Sequence, residues 1–205
     1  MGTAVLKHDP TNLIITGVGG QGNVLASKIL GSMLIDNELN VTVGETFGAS
    51  QRGGSVMSHL RIGSGPARSP QIPMRRAHAI VALEAMEALQ ALGKYGNPET
   101  LVIANSRPIY PMECISGECG YPEQEQLEQW LQKFSGKAWI IEATKHAMNL
   151  GAPIYANIIM IGALAATGIL PLNREGFKVV LERTMSGAKV AKNLDAFDLG
   201  TGLLV

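Results

Sequence analysis

The sequence predicts an α/β domain with a largely parallel sheet covered by helices on both faces. Short β-branched runs alternate with segments whose apolar residues recur at helical spacing, as crossover connections require. The first run ends in a cluster of glycines, as does the first strand of many nucleotide-binding βαβ units. A chain of 205 residues with 46% hydrophobic content suits one core, so residues 1–205 are read as a single domain.

The elements follow in order. Leu13-Ile14-Ile15-Thr16-Gly17 reads as a buried strand, and Val24, Leu25, Ile29, Leu30 and Leu34 mark a helix over residues 23–35. Val41-Thr42-Val43 supplies a second strand and completes a βαβ unit. Val56, Ser58, Leu60 and Ile62 alternate with Met57, His59 and Arg61, which predicts a third strand with one wetter face. Its neighbours are loops rather than crossover helices, so this strand is the expected antiparallel or irregular member. Beyond a loop over residues 63–73 come a strand at 79–83, a helix at 84–92 and a strand at 101–104. A long loop holds Pro108, Pro111 and both cysteines. Pro122 opens a polar helix to residue 134, residues 138–141 form a strand, and helices over 155–169 and 174–197 finish the chain.

Composition narrows the function. Seventeen basic and seventeen acidic residues give no electrostatic footprint for nucleic acid or an anionic membrane. The apolar stretch over residues 154–170 is short of the roughly 20 residues a membrane span needs and is rich in small residues, so it reads as a buried helix. Two cysteines are too few for a disulfide framework, and no signal-peptide pattern opens the sequence. A cytoplasmic protein is expected.

Gly17-Val18-Gly19-Gly20-Gln21-Gly22 fits G-x-G-x-x-G between a strand and a helix. Glycines there permit positive φ and close backbone approach, and the free N–H groups of the helix start favour an anion such as pyrophosphate. Glu45 lies 23 residues after Gly22, near where a ribose-binding acid stands in a nicotinamide site. By itself this pattern points to an NAD(P)-dependent reductase or a nucleotide-binding module. The bland alternative is a tight strand-to-helix turn.

A second segment, Gln51-Arg52-Gly53-Gly54-Ser55-Val56, places a cation among glycines just before a strand, which no dinucleotide fold requires. Together with residues 17–22 it resembles the small gamma-type subunit of 2-oxoacid:ferredoxin oxidoreductases, including the pyruvate, ketoisovalerate, 2-oxoglutarate and indolepyruvate enzymes. Arg61-Ile62-Gly63, the helix start at Glu84, Asn157, Gly162-Ala163-Leu164, Leu170-Pro171, Asn193, Ala196 and Gly200 also look like positions of that family. Phe47 and His78 depart from residues common there and leave the substrate subclass open.

The resemblance implies a single Rossmann-like domain that carries no cofactor and is inactive alone. Thiamine diphosphate and iron–sulfur clusters would sit in partner subunits, with coenzyme A as co-substrate and ferredoxin as electron acceptor. The chain would scaffold the thiamine-binding and ferredoxin-like subunits and help to shape the coenzyme A site. No catalytic or metal-binding residue is assigned. Gly17, Gly19, Gly20, Gln21, Gly22, Gln51, Arg52, Gly53, Gly54 and Ser55 are the expected cofactor-binding or interface residues, with the two loops meeting at one end of the sheet. Cys114 and Cys119 match neither a thioredoxin spacing nor a zinc knuckle, and a four-iron cluster normally needs four thiolates, so no redox role is assigned to them.

Overall fold

The computed structural model describes residues 6–48 and 54–204. Six strands form one sheet: β1 (Thr11–Val18), β2 (Asn40–Phe47), β3 (Ser55–Gly63), β4 (Ala79–Ala82), β5 (Leu101–Asn105) and β6 (Lys137–Ile141). Their order is β2-β3-β1-β4-β5-β6. The pairs from β1 through β6 are parallel, and β3 runs antiparallel to both β1 and β2. The expectation of a reversed third strand holds. The βαβ unit needs correcting: β1 and β2 run the same way, but β3 lies between them.

Helices α1 (Asn23–Asp36), α6 (Ala156–Ala166), α7 (Arg174–Glu182) and α8 (Gly187–Gly202) pack on one face of the sheet, and α2 (Ala85–Tyr95) and α4 (Gln124–Phe134) on the other. Successive strand residues point to opposite faces. Leu13 and Ile15 accordingly join the first core, which also holds Leu30, Phe177 and Phe197. Ile14 joins the second with Ile80, Ala88 and Leu131. All of β1 is buried, as a central strand covered on both sides must be. Coverage thins at the β2 edge, where Val41 packs on the core but Val43 and Phe47 are exposed.

Three further expectations change. The helix over 174–197 is broken at residues 183–186, because α7 packs on α1 while α8 crosses α6, and one straight rod cannot do both. Two short helices, α3 (Met112–Ile115) and α5 (Ala143–Asn149), were too brief to show periodicity, and a 3-10 turn (Pro153–Tyr155) precedes α6. His59 itself is not solvated. It is 1% exposed, edge-on to the Tyr95 ring at 5.0 Å, and burial lowers its pKa, with Lys94 adding to the effect. Met57 and Arg61 on the same side of β3 keep partial exposure while Ser58, Leu60 and Ile62 opposite are buried, so the alternation marks the wetter face and Tyr95 covers His59 locally.

His78, just before β4, accepts a hydrogen bond at Nδ1 from the Asn12 amide at 2.9 Å and stacks on His8. Burial, then the His8 charge, pushes its pKa down to about 4. The folded chain therefore keeps His78 neutral where the unfolded chain takes up a proton, between about pH 6.5 and 4. Stability should be full above that window and fall as pH drops through it. Thermal denaturation across the range should show a shallower fall in His78→Asn, whose side-chain oxygen can still accept the Asn12 amide.

Candidate functional site

The carboxyl ends of β1, β4 and β5 open into a cavity of about 570 Å³, within the size range of small-ligand pockets. It lies where the connections leaving β1 and β4 run to opposite sides of the sheet, the position at which open α/β folds bind ligands. Gly20, Gln21 and Gly22 form one wall, Arg107 and Pro108 another, and Ile154 and Asn157 the rim of α6.

The glycine turn is built for close approach. Gly20 has φ 99° and Gly22, the N-cap of α1, has φ 89°, values open to glycine and strained for other residues. The Gln21 side chain is spent inside the turn: its Oε1 accepts the Val18 amide at 2.7 Å and its Nε2 donates to the Leu83 carbonyl at 2.8 Å. That amide joins the end of β1 to the end of β4, so Gln21 contributes shape rather than a free polar group. Asn105 does the same job below, donating to Thr144 Oγ1 at 2.8 Å while its Oδ1 accepts the Thr144 amide at 3.2 Å.

The free polar groups are few. No side chain caps the N-terminus of α1, and no acidic residue stands in its first turn, so its amides and dipole face the cavity mouth uncompensated. Asn157, 1% exposed, donates to the Gly22 carbonyl at 3.4 Å and leaves its Oδ1 unpaired among the described residues. Arg107 is the one ionisable residue of the lining among the described residues. Backbone donors, a guanidinium and an apolar wall of Leu25, Leu83 and Ile109 suit an anionic ligand with a less polar body.

Gly17 pairs with Val56 and Val18 with Ser55 across β1 and β3, and the Gly19 amide donates to the Gly54 carbonyl at 2.9 Å. The two glycine segments therefore adjoin at one end of the sheet, as expected, wherever they can be followed. Gln51, Arg52 and Gly53 lie outside the described residues. Ser55 turns inward, donating to Glu87 Oε2 at 2.5 Å, and Thr16 donates to the same oxygen at 3.3 Å. Burial raises the Glu87 pKa against the opposing pull of these hydroxyls. Glu84, 1% exposed, caps α2 by accepting the Glu87 amide at 2.9 Å and takes the Tyr121 hydroxyl hydrogen bond on its other oxygen. Glu87 thereby braces the second loop through Ser55, a role that the motif at this helix start does not announce.

Glu45 separates this site from a nicotinamide site. It pairs with Ser58, which pairs with Ile15 of β1, so β3 holds Glu45 two strand spacings, about 10 Å, from β1. Arg107, Asn105 and Asn157 were not foreseen as lining residues, since they come from the loop after β5, the end of β5 and the start of α6, far along the chain, and carry no local motif.

Residues 12–203 match the family model described as pyruvate ferredoxin/flavodoxin oxidoreductase. The chain is 37% identical over 190 residues to indolepyruvate oxidoreductase subunit IorB of Pyrococcus horikoshii, covering 92% of this chain and 93% of that one. It is 29% identical over 187 residues to the pyruvate/ketoisovalerate oxidoreductases common subunit gamma of Thermococcus kodakarensis, covering 88% and 89%. Among solved structures, 2-oxoglutarate:ferredoxin oxidoreductase from Magnetococcus marinus, with 2-oxoglutarate, coenzyme A and succinyl-CoA bound, shares the fold with TM-score 0.73 at 20% identity. That match covers 97% of this chain and 31% of the other.

Proposed function

The chain belongs to the pyruvate ferredoxin/flavodoxin oxidoreductase family, and on that premise we propose that it is the small subunit of a complex that oxidises a 2-oxoacid to an acyl-CoA. The observation that carries this reading is the match, over 92% of this chain and 93% of the relative, to indolepyruvate oxidoreductase subunit IorB. The one-domain chain contributes shape and ligand contacts. Thiamine diphosphate and iron–sulfur clusters belong to partner subunits, ferredoxin takes the electrons, and the complex works in the cytoplasm. The donors of the cavity lining, the α1 amides and Arg107, fit a subunit that holds an anionic ligand.

An aryl 2-oxoacid is the favoured substrate class, because identity to the indolepyruvate subunits reaches 37%, against 29% for the pyruvate/ketoisovalerate subunit and 28% or less for the 2-oxoglutarate subunits. The cavity at the glycine turn is assigned to coenzyme A, whose phosphates suit the α1 N-terminus and Arg107. The adjoining glycine segment over residues 51–55 is assigned to docking on the thiamine-binding subunit.

Affinity purification of the tagged chain from its native host tests the subunit role. It should bring down, in fixed proportion, a partner that contains thiamine diphosphate and iron. Recovery of the chain without such a partner would overturn it. If Arg52 makes a buried charge contact across that interface, Arg52→Ala should weaken association by about 2 to 5 kcal/mol while the isolated variant still folds. Unchanged affinity would remove Arg52 from the interface.

A further inference from the structure

The long loop between β5 and α4 carries both cysteines of the chain, and neither belongs to a core. Unpaired cysteine is among the most buried residue types, so two exposed or half-exposed thiols need another explanation. Their sulfurs stand 3.0 Å apart. The C-x4-C spacing gave no reason to expect this, because the contact depends on how the backbone turns.

That turn is firmly built. Pro111 starts α3, and the carbonyl of Glu113 accepts the amides of Glu118 at 2.8 Å and Cys119 at 3.2 Å. Gly117, at φ 82°, supplies the reversal that lets the chain return. Cys119 is thereby tied to the backbone residue preceding Cys114. The base of the loop is closed separately by the edge-to-face pair Tyr110 and Tyr121, with ring centroids 5.1 Å apart, and by the Tyr121 hydroxyl on Glu84. A disulfide bond is about 2.05 Å long, so rotation of two side chains completes the approach with the backbone in place. A metal is less well served: no cluster of three His, Cys, Asp or Glu able to hold one occurs among the described residues.

We propose that Cys114 and Cys119 form a reversible disulfide, made by exchange with a small-molecule disulfide of the glutathione class and opened by the corresponding thiol. Cys119, the more exposed residue, gives its proton to solvent and attacks one sulfur of the external disulfide, expelling one thiolate, which is protonated. Cys114 then loses its proton and attacks the Cys119 sulfur of the mixed disulfide, expelling the second thiolate. Two protein thiols are oxidised by two electrons, and one external disulfide is reduced to two thiols. The second step is intramolecular between groups already in contact, so it outruns attack by another molecule. In the reduced state the hydrogen bond with Cys119 holds the Cys114 thiol protonated, its pKa pushed up to about 11, which reserves it for the second step.

The disulfide would staple the turn that exposes Met112 and Ile115, on the same loop as the cavity residues Arg107 and Pro108. The proposal is independent of the subunit assignment.

The native full-length chain, equilibrated anaerobically in buffers of graded oxidised-to-reduced glutathione, acid-quenched and weighed by mass spectrometry, tests it. Both free thiols should disappear together, with a loss of two hydrogens and no adduct, and dithiothreitol should restore both. Cys114→Ser and Cys119→Ser should each stop at one glutathione adduct. The same treatment in guanidinium, where the turn is lost, should give the unvaried chain stable adducts. Two glutathione adducts on the native chain, interchain dimers, or two thiols surviving the most oxidising buffer would overturn it.

Discussion

Alanine at Gly162 or Gly200 is expected to lower the unfolding free energy by about 3 kcal/mol or more, the high end of what overpacking costs. The two residues sit where α6 crosses α8. A β-carbon on Gly162 would fall 3.0 Å from the Phe197 carbonyl carbon and nearer still to its oxygen, and one on Gly200 would fall 2.8 Å from the Ile159 carbonyl carbon. Both obstacles are backbone, so neither can swing aside as a side chain would. The helices would have to separate and loosen the packing of Phe197 on Phe177, whose rings lie 4.7 Å apart. Gly93→Ala provides the contrast, because Gly93 lies within α2 with nothing near its missing β-carbon. That change should be neutral or stabilise by up to about 1 kcal/mol through helix propensity. Denaturant melts of the three variants check the prediction.

Alanine at Gly22 should damage both stability and ligand binding. The residue holds φ 89°, which costs an alanine about 1 to 2 kcal/mol, and its β-carbon would press on the Asn157 amide. Displacing that amide breaks its bond to the Gly22 carbonyl and reshapes the wall that carries the unpaired Asn157 Oδ1. The expected result in the assembled complex is an apparent KM for coenzyme A raised about tenfold or more, equivalent to about 1.4 kcal/mol. Gly20→Ala separates strain from collision, since Gly20 has φ 99° but open space around its missing β-carbon. It should show the stability loss with a smaller change in KM. Equal KM changes in the two variants would mean that backbone strain alone governs the site.

The fold was legible where periodicity and turn chemistry agreed. The runs at β1 and β4, the helix after Gly22 and the reversed third strand all carried their own local signals. Between α7 and α8 the residues Arg183-Thr184-Met185-Ser186 interrupt the apolar pattern, and Ser186, the N-cap of α8, with Gly187 is a turn signal that the reading of one long helix passed over. His59 differs for another reason: alternation marked the wetter face of β3, where Met57 and Arg61 are half-buried, but not that Tyr95 from α2 covers one position of it.

The site divides in the same way. Residues 17–22 announced themselves because a strand-to-helix turn with positive φ needs glycine. Gln21 looked like a ligand contact in the motif, yet its amide is consumed by Val18 and Leu83. Arg107, Asn105 and Asn157 reach the cavity from segments more than 80 residues from the glycine turn. The contact between Cys114 and Cys119 depends on a positive φ at Gly117 and on one carbonyl, Glu113, that collects the returning amides. Spacing alone carries neither fact.

The most direct test of the central claim is the coenzyme A-dependent reduction of ferredoxin by the partner subunits, measured anaerobically with and without this chain. Indolepyruvate, pyruvate, 2-oxoglutarate and a branched-chain 2-oxoacid would serve as substrates. The chain alone should reduce no ferredoxin, and adding it to the partners should restore turnover with the aryl 2-oxoacid preferred. Full activity of the partners in its absence, or ferredoxin reduction by the chain alone, would contradict the account.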